Sequence, residues 1–170
     1  TGLDIADCAQ TKPNLSDNYI ITSPQDFTNQ IILMRNTFDA VISSHNLEHC
    51  DDRDGTLIAM LNALKEGGKI YIAFPCEKSI HFPSRKGTLN YYDDPTHKGL
   101  PPNFEQIVTL LERSGFKIEF ATKNYSPRFL RWTGFLFEAI SRFRGSVVIG
   151  TWDYYGFESI IIATKSQMIF

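Results

Sequence analysis

Imidazole, carboxylate and carboxamide groups gather in one short run of the chain, His45-Asn46-Leu47-Glu48-His49. Histidines four residues apart share one helical face, and imidazole is a common metal ligand. The order His-Asn-Leu-Glu-His is not the His-Glu-x-x-His of a metallopeptidase helix, so no metal is expected. A second run, Asp93-Asp94-Pro95-Thr96-His97, lies in a long polar and aromatic connection after Pro75, which also contains His81, Tyr91 and Tyr92. Connections of that length are more often functional than accidental. Nothing around Cys76 clearly lowers a thiol pKa, so it reads as a small packed residue.

The elements that must position these residues follow from hydrophobic period. Short β-rich runs stand at Leu3 to Ala6, Tyr19 to Thr22, Asp39 to Ser43, Lys69 to Phe74, Phe116 to Thr122 and Glu158 to Thr164. Helical patterns separate them, which implies crossover connections and a mostly parallel sheet. Leu57, Ile58, Leu61 and Leu64 recur at helical spacing after the acidic Asp51-Asp52-Arg53-Asp54 entry, and Gly67-Gly68 is the expected stop. A second helix is expected from Asn103 to Ser114, with Gly115 ending it. Residues 125–155 break this rhythm: Phe129, Leu130, Trp132, Phe135, Leu136, Phe137, Ile140 and Phe143 interleave with Arg128, Arg131, Arg142 and Arg144. The favoured reading is a helix packed on the sheet edge or on a second subunit, with its arginines wet; a lid or a membrane-surface helix is the alternative.

Composition sets the outer bounds. A chain of 170 residues, 42% of them hydrophobic, buries one core, so a single domain over 1–170 is expected, with 125–155 as an insertion. A formal charge of -2 provides no basic field for nucleic acid. Cys8, Cys50 and Cys76 form no C-x-x-C pair and no disulfide framework, which fits a reducing cytoplasm. No run is apolar for the roughly 18 residues that a membrane span needs.

Phe38-Asp39-Ala40-Val41-Ile42-Ser43-Ser44, running into Leu47-Glu48-His49, and the later Leu64-Lys65-Glu66-Gly67-Gly68 turn before a strand closed by Pro75 together resemble class I S-adenosylmethionine-dependent methyltransferases. The resemblance implies a Rossmann-like α/β sandwich with a mostly parallel sheet and a late antiparallel strand. It implies S-adenosylmethionine as cofactor, with Asp4 on the ribose hydroxyls and Asp26 near the adenine amine. Ser44, His45 and Asn46 become cofactor-side residues, and Glu48 and His49 braces of the strand-to-helix turn. A carboxylate at the end of a parallel strand faces the crevice where open α/β sheets bind ligands, which supports Asp4 independently, although Asp7 competes with it.

Methyl transfer from a sulfonium is an in-line displacement that needs alignment and, for a hydroxyl acceptor, a base. His97 is the candidate base, with Asp94 (or Asp93) as its orienter and His81 as an alternative. The resemblance departs at the front: no Gly-x-Gly-like turn stands before Phe38, so the first strand and its loop are expected to be missing. The function expected is methylation of a small molecule or a surface-polysaccharide sugar. The alternative is a degenerate module that kept the fold and serves interaction, with a homodimer formed through residues 125–155.

Overall fold

The computed structural model describes residues 1–5 and 17–166; Ala6, Asp7 and Cys8 lie outside them. Strand β1 (Gly2–Asp4) pairs in parallel with β2 (Tyr19–Ile21) as a small sheet, followed by helix α1 (Phe27–Ile32). The larger sheet is built from β3 (Phe38–Ser44), β4 (Leu64–Pro75), β5 (Phe116–Tyr125) and β6 (Glu158–Lys165). Helix α2 (Arg53–Ala63) joins β3 to β4, α3 (Phe104–Arg113) precedes β5, and α4 (Arg128–Arg144) with α5 (Thr151–Tyr155) stands between β5 and β6.

The spatial order is β3-β4-β6-β5. β3 and β4 are parallel, and β6 runs antiparallel to both β4 and β5, so three strands share one direction and the last reverses. All six expected strands are present. The core gathers Ile70, Ile72 and Phe74 of β4 and Ile161 and Ala163 of β6 with Leu57 and Leu61 of α2 and Ile107 and Leu111 of α3. β4 and β6 thus read as near-continuous apolar runs, as strands covered by helices must.

Both helices have side-chain caps at their N-termini. Asp52 accepts from the Gly55 amide at 2.9 Å and Asn103 from the Gln106 amide at 2.9 Å, each satisfying one donor that the first turn leaves open. The far end of α2 corrects the sequence expectation. The helix stops at Ala63 and Leu64 is already extended, because the amides of Asn36 and Thr37 take the carbonyls of Asn62 and Ala63 at 2.8 and 2.9 Å. Gly67 and Gly68 serve a register shift between β3 and β4 instead. Gly67 has φ +75°, and a Cβ on Gly68 would stand 2.8 Å from the Lys65 carbonyl oxygen.

In the 125–155 segment the expected helix forms, but within this chain its aromatic side is not packed on the sheet edge. The small residues of α4, Gly134 and Ser141, are its buried ones, while Phe129, Trp132, Phe135, Leu136 and Phe143 are more than half exposed. The reason is steric. Backbones of α4 and the α5 entry touch at Gly134 and Gly150, where a Cβ on Gly134 would lie 2.0 Å from the Gly150 carbonyl oxygen. Only the small side of the helix fits that contact, so the aromatic side turns outward.

Alanine ordinarily stabilises a helix interior over glycine by about 1 kcal/mol. At Gly134 the clash reverses that sign: Gly134→Ala should lower stability by about 2 kcal/mol, the usual cost of overpacking a closed contact. A urea midpoint that rises, or stays put, in Gly134→Ala would show that the two backbones are not in contact.

Candidate active site

A cavity of about 770 Å³ opens where β1 and β3 end. Leu3, Asp4, Ser43, Ser44, His45 and Asn46 line it, together with apolar side chains of α1 and α2 that include Phe27, Ile31 and Met60. Its position at strand carboxyl ends is where open α/β sheets hold ligands. Asp4 accepts from the Ile5 amide at 2.7 Å and from the Tyr19 hydroxyl at 3.0 Å, which fixes its carboxylate at the cavity wall. Asp26 stands apart at the start of α1, bonded to the Ser23 hydroxyl at 2.9 Å, and is not among the lining residues.

His45 has φ +50°, a conformation that non-glycine residues seldom adopt and that clusters at functional turns. Its ring joins two carboxylates: Nδ1 is 3.0 Å from Glu48 Oε1 and Nε2 is 2.6 Å from Glu158 Oε1. Phe157 stacks on it and Trp152 lies tilted against it. Burial by itself would lower the imidazole, but Glu158 and Glu48 outweigh it and hold its pKa up at about 9. His45 therefore carries a proton at neutral pH. Glu48 is fully buried, and among the described residues its Oε2 has no hydrogen-bond partner.

The connection after β4 is tightly ordered. Two 3-10 turns, Glu77–His81 and Tyr91–Asp93, are held by side chains. Asp93 accepts from the amides of Arg85, Leu89 and Asn90 at 2.8 to 3.0 Å and from the Ser84 hydroxyl, so it shapes the loop and does not orient His97. Burial would raise Asp93, but these donors hold it below the usual carboxylate range. Arg53 braces the same region, donating to the carbonyls of Leu47 at 3.1 Å and Leu100 at 2.6 Å, to that of Lys98, and to the Tyr91 hydroxyl at 3.0 Å. Arg85 forks onto Glu138 of α4 at 2.6 and 2.9 Å, locking the loop to the insertion.

His97 stacks on Tyr91, with centroids 4.4 Å apart, and its side chain is 5% exposed. Its Nδ1 donates to the Tyr91 carbonyl at 2.6 Å, and its Nε2 is 3.9 Å from Asp94 Oδ2. Neither residue lines the large cavity. His81 is exposed on a turn of its own. Cys76 is buried, its thiol pushed up by burial, and its Sγ accepts from Asn124 at 2.9 Å. Glu158, Trp152, Arg53 and Arg85 had no sequence signal; each has a partner 38 or more residues away in the chain.

A parallel α/β sheet whose last strand enters antiparallel beside the second-to-last, with a cavity at the strand ends, defines the Rossmann-like methyltransferase class. Residues 1–72 match the model of a methyltransferase domain family, and the chain has the fold of class I S-adenosylmethionine-dependent methyltransferases. Among solved structures it resembles an S-adenosylmethionine-dependent methyltransferase from Mesorhizobium loti (16% identity, TM-score 0.65, 96% of this chain and 79% of that one). It also resembles one from Archaeoglobus fulgidus (23% identity, TM-score 0.55, 96% and 75%). A third likeness is to phosphoethanolamine N-methyltransferase 2 of Haemonchus contortus in complex with phosphomonomethylethanolamine and S-adenosylhomocysteine (19% identity, TM-score 0.58, 98% and 43%). A search of curated proteins found no match. Among the described residues no helix is long and apolar enough to cross a membrane.

The His45 proton gives a pH signature. Its folded pKa lies above its unfolded value of about 6.5, so the stabilisation is complete below that pH and is lost as pH rises through about 9. At pH 6 the pairing should contribute roughly 2–3 kcal/mol, and the Tm difference between the native chain and His45→Gln should shrink steadily between pH 7 and 10. A difference constant over that range would mean that His45 is neutral.

Proposed function

We propose that this chain transfers a methyl group from S-adenosylmethionine to a small-molecule or sugar acceptor. The observation that carries the reading is the shared cavity wall formed by the Asp4 carboxylate and the Ser44–Asn46 turn. The residues present suit the nucleoside half of the cofactor. A fixed carboxylate matches the paired donors of a ribose diol, and Phe27, Ile31 and Met60 supply an apolar bed for a purine. Asp26 lies outside this lining, held by Ser23 at the start of α1. When bound, S-adenosylmethionine supplies a methyl group activated by its sulfonium.

The chain's own residues then have three tasks. Asp4 orients the nucleoside. His45 and Asn46 shape the wall beside the reacting end, and the proton held on His45 keeps that turn closed. On the acceptor side, His97 keeps its Nδ1 proton on Tyr91, so Nε2, with Asp94 nearby, is the atom that assists loss of a hydroxyl proton. Tyr92 is 59% exposed on the same loop and offers a face on which a sugar can stack.

Calorimetric titration with S-adenosylhomocysteine should give saturable binding that Asp4→Ala weakens by about tenfold or more. His97→Gln should bind it as the native chain does, yet lose about a hundredfold in turnover on a hydroxyl acceptor. No binding to the native chain would favour the non-catalytic interaction module, and unchanged turnover in His97→Gln would end the role given to that residue.

The outward face of α4 supports a homodimer. Phe129, Trp132, Leu136, Ile140 and Phe143 recur at helical spacing, all exposed, on the side away from Gly134 and Ser141. Sedimentation at rising concentration should show a monomer–dimer equilibrium, and the double substitution Trp132→Glu with Phe143→Glu should leave only monomer. A native chain that stays monomeric at about 100 μM, where a micromolar dimer would be saturated, would remove the dimer.

A further inference from the structure

Glu48, His49 and His97 come from a turn and a loop almost fifty residues apart, yet a carboxylate oxygen of the first and a ring nitrogen of each histidine lie within 4.8 Å of one another. The local order of residues 45 to 49 argued against a metal, but the third group arrives from the Asp94–His97 loop, which a five-residue pattern cannot show. We propose that these three side chains form a binding site for one divalent transition-metal ion, with zinc as its representative.

The hydrogen bonds around the cluster leave one ring nitrogen of each histidine open. The Tyr91 carbonyl can only accept, so His97 Nδ1 carries the proton and Nε2 keeps its lone pair. The Thr96 hydroxyl donates its single proton to Asp94 Oδ1 at 2.6 Å. It can therefore only accept from His49 Nδ1, 2.9 Å away, which leaves His49 Nε2 with its lone pair as well. Both imidazoles thus have their tautomer set by a neighbouring acceptor, the arrangement that metal-bound histidines share. Glu48 supplies the second, independent observation. It is fully buried, its Oε1 takes the His45 proton, and its Oε2 has no hydrogen-bond partner among the described residues. A buried carboxylate oxygen without a partner is costly, and a cation offsets that cost.

Two imidazoles and one carboxylate oxygen suit zinc and its first-row neighbours; magnesium and calcium take oxygen sets. Ligands about 2.1 Å from a tetrahedral ion stand about 3.4 Å apart, so the widest pair of the set must close by about 1 Å. His49 is the member free to do so, being half-buried on a short turn, whereas His97 is fixed by its stack on Tyr91. Asp94 Oδ2, 3.9 Å from His97 Nε2, is within reach as a fourth ligand. The site does not depend on methyl transfer. Metal and acceptor proton compete for the same His97 lone pair, and binding of the metal alone is the measurement.

The full chain, treated with chelator and dialysed, is titrated with zinc chloride in a calorimeter and with cobalt chloride in a spectrophotometer. One zinc ion per chain is expected, along with visible cobalt bands that zinc abolishes. His97→Ala and Glu48→Gln, each removing a ligand, should weaken zinc by at least about tenfold to a hundredfold, the range that loss of an outer-shell partner alone produces. His81→Ala, at an exposed histidine outside the cluster, should bind as the native chain does. Because Glu48 is buried, His49→Gln on the half-exposed side is the second variant, and circular dichroism melting confirms that each variant is folded. Absence of zinc binding, or binding that survives both His49→Gln and His97→Ala in folded protein, overturns the site.

Discussion

One imidazolium between two carboxylates holds the functional end of this molecule together. Glu48 follows His45 by three residues, but Glu158 follows it by 113, so the ring ties the end of β3 and its turn to the first residue of β6. The turn itself is strained, with His45 in the left-handed region, and needs an external clamp to persist. Trp152 and Phe157 lie against the ring and cover part of it, and this partial burial strengthens the pairing, because Coulomb attraction grows as the surroundings become less polar. Burying this charge is unfavourable unless both partners stay in place, which makes the start of β6 a condition for the shape of the cavity wall more than 100 residues earlier.

The loop facing this clamp is organised by the same kind of economy, with few side chains and many backbone partners. Arg53 gathers three segments by donating to carbonyls from Leu47, Lys98 and Leu100 and to the Tyr91 hydroxyl. Asp93 does the complementary work with amides. The loop therefore has little regular structure but little freedom, and its stacked histidine inherits that rigidity.

Much of this was legible in the sequence, and the reasons differ by residue. β-rich runs and helical spacing are local signals, so all six strands, the acidic entry to α2 and the Gly115 stop could be read directly. Asp4 and the Ser44–Asn46 turn were legible as strand ends. The end of α2 was not, because it is set by the amides of Asn36 and Thr37, whose arrival is a tertiary event. The burial of α4 was read from its aromatic residues, when the decisive contact is made by two glycines. The Glu48–His49–His97 cluster and the Glu158 partner of His45 were illegible for a simpler reason: no pattern links residues that only folding brings together.

The position of β6 has a consequence for how the chain is made. It lies between β4 and β5 in space but follows both in synthesis, hydrogen-bonding to each along its whole length. Until it emerges from the ribosome, β4 and β5 both present unpaired edges of apolar strand, the surfaces by which nascent chains aggregate or recruit chaperones. Pairing across about 90 residues of sequence also makes the closing step slow. Completion of the sheet and charging of the His45 clamp thus occur together, so a ribosome-bound intermediate lacking β6 has neither a finished sheet nor a formed cavity wall.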